Sequence, residues 1–199
     1  IDASGYLNMD GEPTSIHANI NFGDTNTSFG LASPTYHQKL KIGDTIGIGM
    51  ACRGSLVHKA GVYINSEEDL TEDQMKIRKH FYHTYFKSVV AFYENCKIGN
   101  SCGDIYDKVD YTLGEGEPGG IKKFGIGLNA GHLIHTEEWT NSPFDKGSNT
   151  LIRSGMAIQC DYTAVHNDPY LTVHIEDGFV VADEKLQNEI KAISPSCYR

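Results

Sequence analysis

No apolar run in this 199-residue chain approaches the roughly 20 residues a bilayer-spanning helix needs. Clusters of Lys and Arg are missing too. With a net charge of −9 and no basic patch to offset it, the sequence excludes nucleic acid and anionic membrane as partners. Metal-knuckle spacing is absent: the five cysteines, at 52, 96, 102, 160 and 197, form no CxxC pair. An odd, scattered set of this kind reads as reduced structural thiols and predicts a cytoplasmic protein. In that setting the sequon Asn26-Thr-Ser28 carries no meaning. The stretch Gly114–Gly120 is glycine-rich but matches neither GxGxxG nor GxxxxGK[ST], which excludes a phosphate cradle. No initiator Met or signal-like start is present, so the expectation is a trimmed or partial chain, the C-terminal domain of a longer one. Repeats of 20–50 residues and low-complexity tracts are also missing.

What remains is an ordinary globular composition, with 39% apolar and 22% charged residues, in a chain long enough to bury a core. Residues 1–35 are rich in Gly, Asn, Ser and Thr and read as loops and short strands. Thr45–Met50 and Gly54–Ile64 alternate and are β-rich, predicting paired strands that turn near Arg53-Gly54. Thr71 and Gln74 form a capping box ahead of a helix whose apolar stripe is Ile77, Phe81, Tyr85, Val89, Tyr93 and Cys96, with Gly99 closing it. Ser101 and Asp104 open a second helix carrying Ile105, Val109 and Leu113. Strands return around 124–134, 157–164 and 171–181, with a loop at 139–149 and a short helix capped by Asp183. Strands, two helices, then strands again predict an α+β domain: one curved, mostly antiparallel sheet with helices on its outer face.

Three of the later runs each carry one strong ligand type: His132, Asp161 and Glu176. An imidazole and two carboxylates can hold a divalent ion, imidazole suiting Zn or Fe and carboxylate suiting Mn. Plainer readings stand beside this one. His132 reads equally as a hydrogen-bonded core histidine, Asp161 as a turn cap, and Glu176-Asp177 as a solvated strand end. Trp139, the single tryptophan, reads as a ligand-binding aromatic at a cleft mouth or as cover for a sheet edge.

The order of pieces from Lys41 to Val181 resembles the creatinase, aminopeptidase P and methionine aminopeptidase family, whose fold is called pita-bread. The residues that carry the likeness are Lys41-Ile-Gly-Asp44, Cys96-Lys-Ile-Gly99, Gly131-His132, Leu151-Ile-Arg-Ser-Gly-Met156 and Ile175-Glu-Asp177. The resemblance implies one pita-bread domain over residues 1–199. It also implies a pair of divalent ions held by two Asp, one His and two Glu, activating water for peptide hydrolysis. Carried onto this chain, the His falls on His132, the first Glu on Asp161 and the second on Glu176. The Asp pair falls on Gly49 and Ala60, which ligate nothing, and Thr45–Ile64 contains no other Asp or Glu.

The expectation is therefore a divergent, pseudoenzyme-like member with its dinuclear site partly lost, working as a binding module for a peptide or small-molecule ligand. It would carry no metal or a single Mn, Zn, Co or Fe ion on His132, Asp161 and Glu176, and could form a homodimer. The alternatives are a mononuclear Xaa-Pro dipeptidase or aminopeptidase, and a metal-free creatinase-like hydrolase. In an active version His132, Glu176 and His37 are the candidate catalytic residues, and His135, Trp139 and His174 the candidate substrate contacts. His174 stands where the family usually has Arg. Arg53 or His58 is expected to fill the space left by the missing Asp pair.

Overall fold

Thr71 accepts a hydrogen bond from the Gln74 amide while the Gln74 side chain accepts from the Thr71 amide, so the helix starts where its capping box dictates. The computed structural model describes residues 19–23, 39–52, 55–114, 122–124, 130–134, 142–167 and 170–197. That helix, α1, spans Glu72–Asn95, and α2 spans Cys102–Gly114. The Asp104 amide donates to Ser101 Oγ, as the sequence predicts. A third helix, α3, covers Glu184–Ile193 with Asp183 as its cap.

Seven strands lie among the described residues: β1 (Asn19–Phe22), β2 (Thr45–Cys52), β3 (Ser55–Val62), β4 (Lys122–Phe124), β5 (Gly131–Leu133), β6 (Ala157–Asn167) and β7 (Tyr170–Val180). They form one sheet in the order β1-β2-β3-β7-β6-β4, with β5 also paired to β6, and every pairing is antiparallel. The expected α+β architecture is thus present. The β2–β3 pair runs to Cys52 opposite Ser55, and the turn predicted near Arg53-Gly54 lies outside the described residues.

Side chains alternate across the sheet. One face of β6 and β7 presents Ile158, Cys160, Tyr162, Ala164 and Val173 to α1 and α2, and this is the core. From the helices come Phe81, Tyr85, Val89, Phe92 and Cys96, then Cys102, Ile105, Val109 and Leu113. The predicted stripe errs at one position: Phe92, not Tyr93, is fully buried, and Tyr93 is 37% exposed. Each four-residue step advances about 400° and overshoots a full turn by 40°, so three steps from Phe81 carry position 93 off the face.

Candidate metal-ligand centre

Register decides what meets on the other face of the sheet. Asp161 on β6 lies opposite Glu176 on β7, and Thr163 lies opposite His174. On β5, His132 lies opposite Gln159, two residues before Asp161 and therefore on the same face. His132, Asp161 and Glu176 each offer one ligand atom, all within 4.8 Å of one another. His132 and Glu176 are buried and Asp161 half-buried. Glu176 is thus no solvated strand end, and the sequence-derived trio converges.

Gly131 makes that approach possible. A Cβ at this position would overlap the carbonyl oxygen of Gln159 and come within 3.1 Å of Phe92 Cζ. Only glycine lets β5 lie so close to β6 while α1 presses from behind.

The hydrogen bonds of His132 constrain its proton. Nδ1 lies 3.1 Å from the carbonyl oxygen of Leu133, which can only accept, so Nδ1 carries the hydrogen in that contact. Nε2 of the neutral ring is then a lone pair, and it faces Asp161 Oδ2 at 3.0 Å. Two acceptors at that distance need a proton or a metal cation between them.

His174 closes the group from β7. Its Nδ1 is 2.5 Å from Thr163 Oγ1, and its Nε2 lies 3.3 Å from Asp161 Oδ1 and 3.8 Å from Glu176 Oε2. Despite that proximity, the ring is not aligned for a hydrogen bond, and both His174 Nε2 and Glu176 Oε1 are buried without a hydrogen-bond partner. His58 of β3 is buried against it, the two rings edge to face with centroids 4.4 Å apart.

The two positions onto which the resemblance carries its Asp pair, Gly49 and Ala60, can be placed by register. Gly49 lies opposite His58, and Ala60 lies between Gly47 on one side and His174 on the other. These positions share the face of His174 and Glu176 and bring no carboxylate to it. Two divalent ions carry four positive charges, whereas Asp161 and Glu176 supply two negative ones. Among the described residues, the ligand set fits one divalent ion and does not fit two.

Three sequence candidates, His37, His135 and Trp139, lie outside the described residues, as does Arg53. Sequence reasoning passed over Thr163 and Tyr85. The signal for Thr163 was its two-residue offset from Asp161 on one strand. Tyr85 had none, because its hydroxyl reaches the strands from a helix: it accepts from the Ile175 amide at 2.9 Å and donates to the Tyr162 carbonyl at 2.8 Å. Those two residues flank Glu176 and Asp161, so a phenol sits in the β6–β7 ladder one rung from the acid pair. Burial holds that phenol well above its usual ionisation range.

The same architecture occurs in solved structures. An X-Pro aminopeptidase from Thermotoga maritima superposes with a TM-score of 0.61 at 14% identity, covering 87% of this chain and 46% of its own. This is the pita-bread fold. A methionine aminopeptidase, also from Thermotoga maritima, matches the pita-bread chain at TM-score 0.54 and 15% identity, covering 89% of it and 74% of the enzyme. The N-terminal domain of the FACT complex subunit SPT16 from Cicer arietinum matches at 0.56 and 12%, covering 85% of this chain and 41% of that one. The chain therefore spans less than half the length of the X-Pro aminopeptidase. The sequence matches no family profile and no curated protein. Among the described residues no helix is long and apolar enough to cross a membrane.

Proposed function

We propose that this pita-bread domain has given up dinuclear proline-peptide hydrolysis and acts as a binding module for a peptide or small-molecule ligand. At most one divalent ion sits on His132, Asp161 and Glu176. The observation that carries this reading is that Gly49 and Ala60, onto which the family resemblance carries two carboxylate ligands, bring none to the face of Asp161 and Glu176. A second ion without a bridging carboxylate would repel the first across about 3.5–4 Å. The fold's occurrence as a domain of a complex subunit agrees with a binding role. Free, buried Cys96, Cys102 and Cys160 support a reducing, cytoplasmic setting.

A second reading, a mononuclear hydrolase, is favoured by the convergence of His132, Asp161 and Glu176 within 4.8 Å. Assays of Xaa-Pro dipeptides with Mn²⁺, Co²⁺ or Zn²⁺, each with and without chelator, separate the two. No turnover in any arm is the expected result. Metal-dependent turnover abolished by Glu176→Ala overturns the binding-module reading in favour of the mononuclear enzyme. Chelator-resistant turnover lost in His132→Ala overturns it in favour of metal-free acid–base hydrolysis.

A further inference from the structure

We infer that His174 is a fourth metal ligand, so that a single Zn²⁺-class ion is held by two imidazoles and two carboxylates: His132, His174, Asp161 and Glu176. The inference deepens the single-ion part of the function proposed above. It departs from the resemblance, which gives this position no ligand and the family a pair of ions.

Distances come first. Zn–N and Zn–O bonds of about 2.0–2.1 Å at tetrahedral angles set ligand atoms roughly 3.3 Å apart. Three separations lie near that value: 3.0 Å from His132 Nε2 to Asp161 Oδ2, 3.3 Å from His174 Nε2 to Asp161 Oδ1, and 3.8 Å from His174 Nε2 to Glu176 Oε2. His174 stands outside the trio whose ligand atoms all lie within 4.8 Å of one another, so its ring moves inward to complete the shell.

The second argument is what each ring does with its other nitrogen. Metal-bound histidines donate the non-ligating N–H to a fixed acceptor, which orients the ring. His132 Nδ1 does this to the Leu133 carbonyl, and His174 Nδ1 lies in hydrogen-bond contact with the Thr163 hydroxyl, which can accept. Both Nε2 atoms are thereby turned onto the same two carboxylates.

The third argument is unmet demand. His174 Nε2 and Glu176 Oε1 are buried polar atoms without hydrogen-bond partners, and the Glu176 side chain is 4% exposed. Leaving two such atoms unpaired is costly, and a cation between the two imidazoles and two carboxylates satisfies both. Two imidazoles move the donor set away from Mg²⁺ and Mn²⁺ and towards Zn²⁺.

The test uses the purified chain, stripped with chelator and titrated with Zn²⁺ against a chromophoric competitor. One equivalent binds to the wild type, and His174→Ala weakens that binding at least about tenfold, while the exposed-helix control His83→Gln leaves it unchanged. The wild type also gives a reading that no variant's folding can spoil. In ¹⁵N–¹H correlation spectra of the imidazoles, Zn²⁺ shifts the Nε2 resonances of both His132 and His174 and leaves each Nδ1 protonated. Movement of the His132 ring alone, or equal Zn²⁺ affinity in a folded His174→Ala protein, overturns the fourth ligand. A wild type that binds no Zn²⁺ overturns it as well. That last result, with no Xaa-Pro turnover, leaves the binding-module reading standing, whereas turnover with Zn²⁺ retained sinks that reading and spares the ligand set.

Discussion

Asp161 faces an imidazole nitrogen on each of its oxygens, and the one at His132 is forced to be an acceptor whenever that ring is neutral. Replacing the carboxylate with an amide supplies the missing donor, because an Asn NH₂ can donate to His132 Nε2. Asp161→Asn is therefore expected to melt at or above the wild-type temperature in chelator at pH 8, and to lose Zn²⁺ binding. A thermal melt with and without Zn²⁺ checks both parts; a variant that melts several degrees lower in chelator would mean that His132 is held there as an imidazolium. Gly131 is the neighbouring residue with least freedom. Gly131→Ala drives a methyl into the Gln159 carbonyl and Phe92, neither of which is a flexible chain end, so a loss of about 1–3 kcal/mol is expected. Urea denaturation of the variant measures it, and an unchanged midpoint would show that β5 can move away from β6.

Among the elements, α1 does more than cover the sheet. In a directly paired antiparallel rung the Ile175 amide would donate to the Tyr162 carbonyl. Tyr162 and Ile175 are partners in the β6–β7 ladder, and the Tyr85 hydroxyl also bridges these same two groups, while Ser88 anchors the neighbouring ring by pairing with the Tyr162 hydroxyl at 2.5 Å. Helix α1 thus ties β6 to β7 beside Asp161 and Glu176. Tyr85→Phe keeps the ring packing and removes the bridging hydroxyl, so the Ile175 amide and the Tyr162 carbonyl each lose a buried hydrogen-bond partner. The expected cost is about 1–3 kcal/mol, with faster hydrogen exchange at the Ile175 amide than at the Val173 amide. Equal exchange at both amides would mean that strand pairing alone protects the Ile175 amide and that the helix hydroxyl adds nothing.

Across the whole molecule, legibility in the sequence followed the range of the interaction. The caps at Thr71, Ser101 and Asp183 are contacts over three residues, and each was readable from its own tetrapeptide. The meeting of His132, Asp161 and Glu176 spans more than forty residues and was readable only through a family pattern. His174 against Asp161, and Tyr85 against both strands, depend on cross-strand register and helix docking that no local pattern encodes. The thiols Cys96, Cys102 and Cys160 looked unremarkable for the same reason, yet all three are buried in one core shared by both helices and the sheet. Burial pushes the Cys96 thiol up from 9.0 to about 12, with Cys102 nearby adding to it, and pushes Cys102 up to about 11. The unfolded chain releases these protons near pH 9 and the folded one holds them, so the folded state binds more protons and stability must fall as pH rises. That stability is fully present below about pH 9 and drains away as pH climbs through 11 and 12. Urea midpoints should accordingly be flat from neutral pH to about 8.5 and decline beyond it, each thiol contributing up to about 1.4 kcal/mol per pH unit. The double variant Cys96→Ala, Cys102→Ala starts lower, because two buried side chains are truncated, and declines less steeply between pH 9 and 11; a slope equal to that of the wild type would place the alkaline transition elsewhere in the fold.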